Sequence, residues 1–264
     1  MNSETSFLDP LDLARQEIDQ IDDQLVSLLA QRFGVTEKVR LAKAGAKDAW
    51  PLPLRPSREA AILRRLLAKA KGGPLNPELL VRLWRAIISQ SSLNQAPITL
   101  HISRHLNANM AHRLRLRDHF GPMVVEEYRD EAQALLQINA QPSDVCVVET
   151  EQPWAESFVA GKAGAARVIA ALPVLKEEGI PKLLVIGQAP VSASGDDETL
   201  VITSGKLPRD FTPEPSWQAK SGSLRLSSLP GFLLDHESPL IGVTRSNAAL
   251  GLMVAGHYSP AVSP

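Results

Sequence analysis

Between Leu11 and Lys43, apolar residues return every three or four positions: Ile18, Ile21, Leu25, Leu28, then Arg32, then Val35, Val39 and Ala42. Alternating steps of three and four are the signature of a heptad seam on one helix. Asp9 is placed to cap this helix and Pro10 to open its first turn. Gly45 and the Pro51/Pro53 pair end it. At ~1.5 Å per residue the helix spans on the order of 50 Å. That is long for one small domain, so the seam is expected to bury against a partner chain or a long neighbour. A second helix is predicted from Ser57–Arg58, with Ser57 as its cap and Ile62, Leu63, Leu66, Leu67 and Ala70 on its apolar side, up to the break at Gly72-Gly73-Pro74. A third, capped by Asn76 with Pro77 at its first position, carries Leu79, Leu80, Leu83, Trp84, Ile87 and Ile88 and runs to about Gln95.

Beyond Pro97 the texture changes to short apolar runs with frequent Pro and Gly. Strands are predicted at 98–103, 145–149, 182–187 and 199–203, and helices at 107–119, 130–140 and 153–163. Residues 205–222 read as a Pro-rich exposed loop, and 223–264 as strand–turn–strand. The fold class expected is therefore multidomain: a three-helix domain over 9–96, then an open-sheet α/β domain over 98–264.

Composition sharpens this division. The 264 residues carry 28 Lys+Arg against 29 Asp+Glu, a net charge of −1. Residues 1–96 are net positive and 97–264 net negative. The balance speaks against a generic nucleic-acid or polybasic membrane binder. The single cysteine, Cys146, excludes an intramolecular disulfide framework and a cysteine-based zinc site. No run approaches the ~18–20 apolar residues of a membrane span, and Met1–Pro10 is polar and acidic, unlike a signal peptide. A cytoplasmic protein is the expectation.

The informative positions are polar residues on apolar faces. Arg32 interrupts the seam between Leu28 and Val35. Glu59 lines up with Leu63, Leu66 and Ala70, while Ser91 and Gln95 continue the line of Leu80, Trp84 and Ile88. Arg15 and Lys43 lie at the seam's edge near its two ends, and Arg58 opens the second helix. Singly, each has a bland explanation: Arg32 as a register device or an ion-pair partner of Glu59, Ser91 and Gln95 as a fraying end, Arg15 and Lys43 as solvated charges. Together, four cations, a carboxylate, a hydroxyl and an amide on three helices suit a small, rigid, multiply anionic ligand. No nucleophile–base pair, metal set or glycine-rich phosphate loop accompanies them.

These residues at this spacing resemble the all-helical, AroQ-type chorismate mutases. The resemblance rests on LARQEIDQIDDQLVSLLAQR, VRLAK, RPSREAAIL and IISQSSLNQ, spread over residues 11–95, about a third of the chain. It implies an intertwined homodimer that exchanges its long first helices and forms two shared sites for chorismate. By that resemblance Arg15 crosses from the other subunit to hold a substrate carboxylate, and Arg32 holds a carboxylate from within the main subunit. Lys43 and Gln95 donate to the ether oxygen, Glu59 accepts from the ring hydroxyl, and Arg58 and Ser91 act at the carboxylates. No cofactor or metal is implied. One departure stands out: where many members carry Asp, three residues before the Arg58-Glu59 pair, this chain has Arg55.

The α/β part, placed behind a mutase-like segment, is similar in arrangement to the second module of bifunctional mutase–prephenate dehydratases. Asp144-Val-Cys-Val-Val-Glu149 is loosely similar to a strand of that module. Its Thr-Arg-Phe motif has no counterpart; the one Thr-Arg pair, Thr244-Arg245, is followed by Ser246. A degenerate, noncatalytic relative that regulates, binds a ligand or mediates assembly is the expectation for 98–264. His101, His105, His112 and His119 are read as scattered surface histidines, Arg113–Arg117 as a solvated face, Gly195-Asp196-Asp197 as a turn and Cys146 as a small core residue. The function expected is chorismate to prephenate in aromatic amino acid biosynthesis, with neither nucleic acid nor membrane as partner. The alternatives are a bifunctional mutase–dehydratase and an inactive mutase-like dimer that senses a metabolite or binds a partner.

Overall fold

The computed structural model describes residues 9–44 and 52–263, with Lys43 and Ala44 described by their backbone. The chain divides into two compact units, Met1–Ala49 and Trp50–Pro264. In the first unit a single helix, α1, runs Pro10–Ala44 as the heptad spacing predicts. Asp9 caps it: its carboxylate accepts from Leu11 N at 3.2 Å and its carbonyl from Leu13 N at 3.0 Å. The expected stop at Gly45 lies outside the described residues. The large apolar side chains of the seam are exposed, from 45% at Val39 to 60% at Leu28.

The second unit opens with α2 (Pro56–Ala70) and α3 (Pro77–Leu93). Pro56 rather than Ser57 starts α2, and the residue in the cap position, Arg55, makes no side-chain cap bond. Asn76 caps α3 as expected, accepting from Leu79 N at 3.1 Å. These two helices share a core with the remainder of the unit: Leu63 and Val81 pack with Val262, Val174 and Leu175. The expected domain boundary at 96–98 therefore falls inside a compact unit. Hydrophobic burial joins α2 and α3 to the α/β part that follows them.

The α/β part follows as β1 (Thr99–Ser103), α4 (Arg104–Ala108), α5 (Met110–Phe120), β2 (Val124–Tyr128), α6 (Glu131–Ala140), β3 (Val145–Glu149), α7 (Ala155–Val159), β4 (Arg167–Leu172), β5 (Leu183–Gly187), β6 (Glu198–Thr203), β7 (Trp217–Ser221), β8 (Leu224–Pro230), α8 (Leu240–Ser246) and β9 (Met253–Tyr258). The strands form one mixed sheet in the order β2-β1-β3-β5-β4-β9-β6-β8-β7. β2, β1 and β3 are parallel neighbours, as are β4 and β9; the other pairings are antiparallel.

The central strands are covered on both faces, which is why they read as unbroken apolar runs. Cys146 and Val148 of β3, with Leu184 and Ile186 of β5, pack beneath α6 and α7 against Ile138, Trp154 and Phe158. Val145, Val147, Leu183 and Val185 face the other way, onto Leu106, Leu116 and Phe120 of α4 and α5. Cys146 is fully buried, as expected, and burial pushes its thiol far up. At Gly256 in β9 a Cβ would come too close to the carbonyl oxygen of Val168, so the β4–β9 approach requires glycine.

Several expectations change. The helix at 107–119 is two helices, because Asn109 ends α4 and its side chain caps α5 through Ala111 N at 3.0 Å. The helix at 153–163 shortens to α7. The loop at 205–222 contains β7, a hairpin partner of β8. The region 223–264 holds α8 between its strands. Gly195 and Asp196 form a bend rather than the expected turn, with Gly195 at φ +87°. No described helix is long and apolar enough to cross a membrane.

Candidate functional site

The seven residues singled out from sequence divide between the two units. On α1, Arg15 is exposed and its Nη1 donates to Asp12 Oδ1 at 3.2 Å. Arg32 is half-buried, its carbonyl accepting from Thr36 Oγ1 at 3.1 Å. Lys43 lies in the last turn. In the second unit, Arg58 and Glu59 stand in the first turn of α2, Arg58 exposed and Glu59 buried. Ser91, near the end of α3, is buried, and its Oγ donates to the Ile87 carbonyl at 2.8 Å. Gln95, just past α3, donates through Nε2 to the Ser91 carbonyl at 3.0 Å.

Glu59 has a partner that sequence reasoning missed. Arg85 Nη1 donates to Glu59 Oε2 at 2.7 Å, with the two side chains 5% and 11% exposed. Arg85 Nη2 donates to the carbonyl of His119 at 2.7 Å, so one guanidinium ties α2, α3 and α5 together. The signal was present: Val81, Arg85 and Ser89 share an i, i+4 face, and all three are buried. Glu59 Oε1 accepts the backbone N–H of Arg55 at 3.1 Å. Arg55 itself turns back on the proline-rich segment, donating through Nη1 to the carbonyls of Leu52 (3.0 Å) and Leu54 (2.7 Å). Desolvation lowers its pKa and the Glu59 charge opposes that shift. Arg55 thus closes a loop.

Beside the pair lies a cavity of about 50 Å³ whose walls include Leu54, Ala60, Glu59, Arg85 and His119. It has room for water, not for a dianionic ring. His119 is buried against Phe120 and Arg85, and burial followed by the Arg85 charge holds its pKa well below the usual histidine range. The histidines are not scattered over the surface. His101 is 3% exposed and bonds Asp144 at 3.0 Å and Tyr128 at 3.1 Å, while His112 lies 3.6 Å from Glu149. The acidic partners come from β3 and its approach, distant in sequence, so spacing did not reveal them. Only His105 of the four is exposed, at the rim of the Glu149 carboxylate. Among the described residues no group of three His, Cys, Asp or Glu is arranged to hold a metal ion.

Comparison with known proteins gives a match to chorismate mutase type II over residues 14–96. Over those residues the chain is similar to that family. The segment includes all seven candidates and spans α1, α2 and α3, so it draws on both compact units. Bifunctional chorismate mutase/prephenate dehydratases are relatives. The protein of that name from Stutzerimonas stutzeri is 28% identical over 128 residues, covering 46% of this chain and 33% of the relative. That from Pseudomonas aeruginosa is 32% identical over 92 residues (34% and 25%), and that from Escherichia coli K12 is 32% identical over 108 (40% and 26%). The chain thus spans a quarter to a third of the length of these relatives. Among solved structures, a prephenate dehydratase from Streptococcus mutans aligns with a TM-score of 0.37 at 11% identity, over 62% of this chain and 98% of that one. GqqA, a quorum-quenching acylase, aligns at 0.42 and 8% identity, over 62% and 95%.

Proposed function

We propose that this protein is a chorismate mutase, converting chorismate to prephenate. The family match over residues 14–96, which encloses every cation, carboxylate, hydroxyl and amide singled out from sequence, carries the reading. The reaction is pericyclic and needs neither covalent intermediate nor proton shuttle. The protein has to hold a dianion in a compact chair-like conformer and stabilise charge growing on the ether oxygen. Arg32, Arg58 and Ser91 hold the carboxylates together with Arg15 of the partner subunit. Lys43 and Gln95 donate to the ether oxygen. Glu59 accepts from the ring hydroxyl, its carboxylate held in one orientation by Arg85 and Arg55 N–H, with a lone pair still open on each oxygen.

The shared site needs a homodimer. The exposed seam of α1 supports it: Ile18, Ile21, Leu25, Leu28, Val35 and Val39 present an apolar stripe that a second copy of the helix would cover. The test is loss of chorismate absorbance with the purified full chain, followed by acid conversion of prephenate to phenylpyruvate. No turnover contradicts the proposal.

A second reading has one observation in its favour. The Stutzerimonas match, at 128 residues, is longer than the mutase segment and so reaches outside it. A bifunctional mutase–dehydratase would release phenylpyruvate without acid treatment. Against it, the chain carries no Thr-Arg-Phe motif; its one Thr-Arg pair, Thr244-Arg245, is followed by Ser246 and lies in α8, where Thr244 Oγ1 donates to the Leu240 carbonyl at 3.1 Å.

A further inference from the structure

In the second unit, the face of the sheet that packs beneath α6 and α7 does not end in apolar side chains. Where β9 and β8 finish and β6 and β7 begin, it ends in a polar chain. Glu198 and Tyr258 are directly opposite each other on β6 and β9, as are Trp217 and Ser228 on β7 and β8. Ser216 Oγ donates to Glu198 Oε1 at 2.7 Å, and Ser228 Oγ donates to Oε2 at 2.7 Å. Ser228 has a single proton and gives it to the carboxylate, so its oxygen accepts from the Tyr258 hydroxyl at 2.6 Å. The Tyr258 oxygen in turn accepts from Trp217 Nε1 at 3.0 Å. Burial is the main force raising the Tyr258 pKa, with Glu198 adding to it, so the phenol remains a donor. Trp217, Tyr258 and Ser228 form one directed chain whose acceptor is Glu198.

That carboxylate is 9% exposed, yet among the described residues it pairs with no cation. One hydroxyl occupies a lone pair on each oxygen and leaves a second one open, and neither hydroxyl compensates a negative charge, which is costly for a buried carboxylate. It forms part of the wall of a cavity of about 340 Å³. Trp217 and Tyr258 stand on the same wall, and Pro173, Ile180, Pro181 and Pro260 contribute apolar surface. The other charges nearby are Lys176, exposed and therefore screened by solvent, and Glu177, held at 2.8 Å by Arg115.

We propose that this cavity binds a small organic ammonium ion, its charged nitrogen donating to Glu198 and its hydrocarbon body lying between the Trp217 and Tyr258 rings and the proline-rich wall. An aromatic ring beside a carboxylate favours a weakly hydrated organic cation. A divalent metal ion would need several further oxygen ligands around one carboxylate whose two oxygens already take hydroxyls. An anion would be repelled. The volume is at the lower end of the ~300–1,000 Å³ range of small-molecule sites.

The test is calorimetric titration of the full chain with benzylammonium chloride, with benzyl alcohol and sodium benzoate as the uncharged and anionic counterparts. The expected result is saturable 1:1 binding of benzylammonium alone. Glu198→Gln keeps a hydrogen-bond acceptor for one serine and removes the charge; it should weaken binding about tenfold or more. Trp217→Leu keeps the carboxylate and should weaken binding about fivefold, the equivalent of a cation–π contact of about 1 kcal/mol. Far-UV circular dichroism checks that both variants fold. Absence of saturable benzylammonium binding overturns the proposal, as does benzyl alcohol binding equally well. Unchanged affinity in either folded variant overturns it too.

Discussion

Arg85 reaches across from α3 to Glu59 on α2, and the 2.7 Å contact is almost wholly shielded from water. The carboxylate expected to read the substrate's ring hydroxyl is therefore also half of a buried ion pair. Removing one partner strands the other charge. Arg85→Met is expected to destabilise the second unit by about 3–5 kcal/mol, whereas the double variant Arg85→Met/Glu59→Leu loses much less. Urea denaturation of the two single variants and the double variant measures this. If the Arg85 variant is as stable as the parent, the pair has no structural weight.

His119 gives that same region a pH dependence. Its folded pKa is depressed below the ordinary value of 6.5, so the unfolded chain binds the proton more readily than the native one. Stability contributed this way is complete above the unfolded pKa of about 6.5 and is lost as pH falls toward the folded value. His112, whose pKa is lowered chiefly by desolvation, acts in the same direction. The denaturation midpoint is expected to fall between about pH 7 and pH 5. The fall should be shallower in His119→Gln, and an identical slope would show that His119 does not contribute.

Gly256 tests the sheet. Any Cβ there meets the backbone of Val168 on β4, at φ +156°. Gly256→Ala is expected to cost on the order of 1–3 kcal/mol through backbone strain and a disturbed β4–β9 pairing. Thermal unfolding reads this directly, and an unchanged midpoint would contradict the close approach.

The seam of α1 tests the assembly. Leu25→Glu puts a charge at the middle of the apolar stripe, where burial against a second helix would desolvate it. Sedimentation is expected to show the parent as a dimer and the variant as a monomer, with mutase activity lost alongside. A monomeric parent would contradict the shared site.

Much of the architecture was legible where pattern alone decides it. The 3–4 spacing of α1, the Asn76-Pro77 opening of α3 and the apolar runs of β3 and β5 all specify their elements locally. What sequence could not show was which element covers which. α2 and α3 have amphipathic faces, but only tertiary packing reveals that Leu63 and Val81 meet Val262 from the far end of the chain. β2 is a parallel edge strand with an exposed VVEEY sequence, and β7 alternates half-buried and exposed residues; neither has the continuous apolar signal of the sheet's centre. The histidines failed for a related reason, since Asp144 reaches His101 beside the β1–β3 pairing and Glu149 reaches His112 from the end of β3 to α5, neither of which shows in spacing. The candidate residues were chosen by type and spacing alone, and Arg85, which fixes Glu59, was passed over although it shares the face of Val81 and Ser89.

Transition-state stabilisation at the ether oxygen should depend on Lys43 and Gln95. Lys43→Ala and Gln95→Ala are each expected to lower kcat by about 10²–10³, with KM changed far less. Steady-state kinetics on chorismate separates the two parameters. Effects confined to KM would mean these residues bind substrate without acting on the breaking bond.

The central claim is tested most directly by incubating the purified full chain with chorismate and following its absorbance, then assaying prephenate by acid conversion to phenylpyruvate. The account predicts steady loss of chorismate with matching prephenate, abolished in Arg32→Ala while the dimer persists. Chorismate left unchanged by the parent, or consumed equally well by Arg32→Ala, would contradict it.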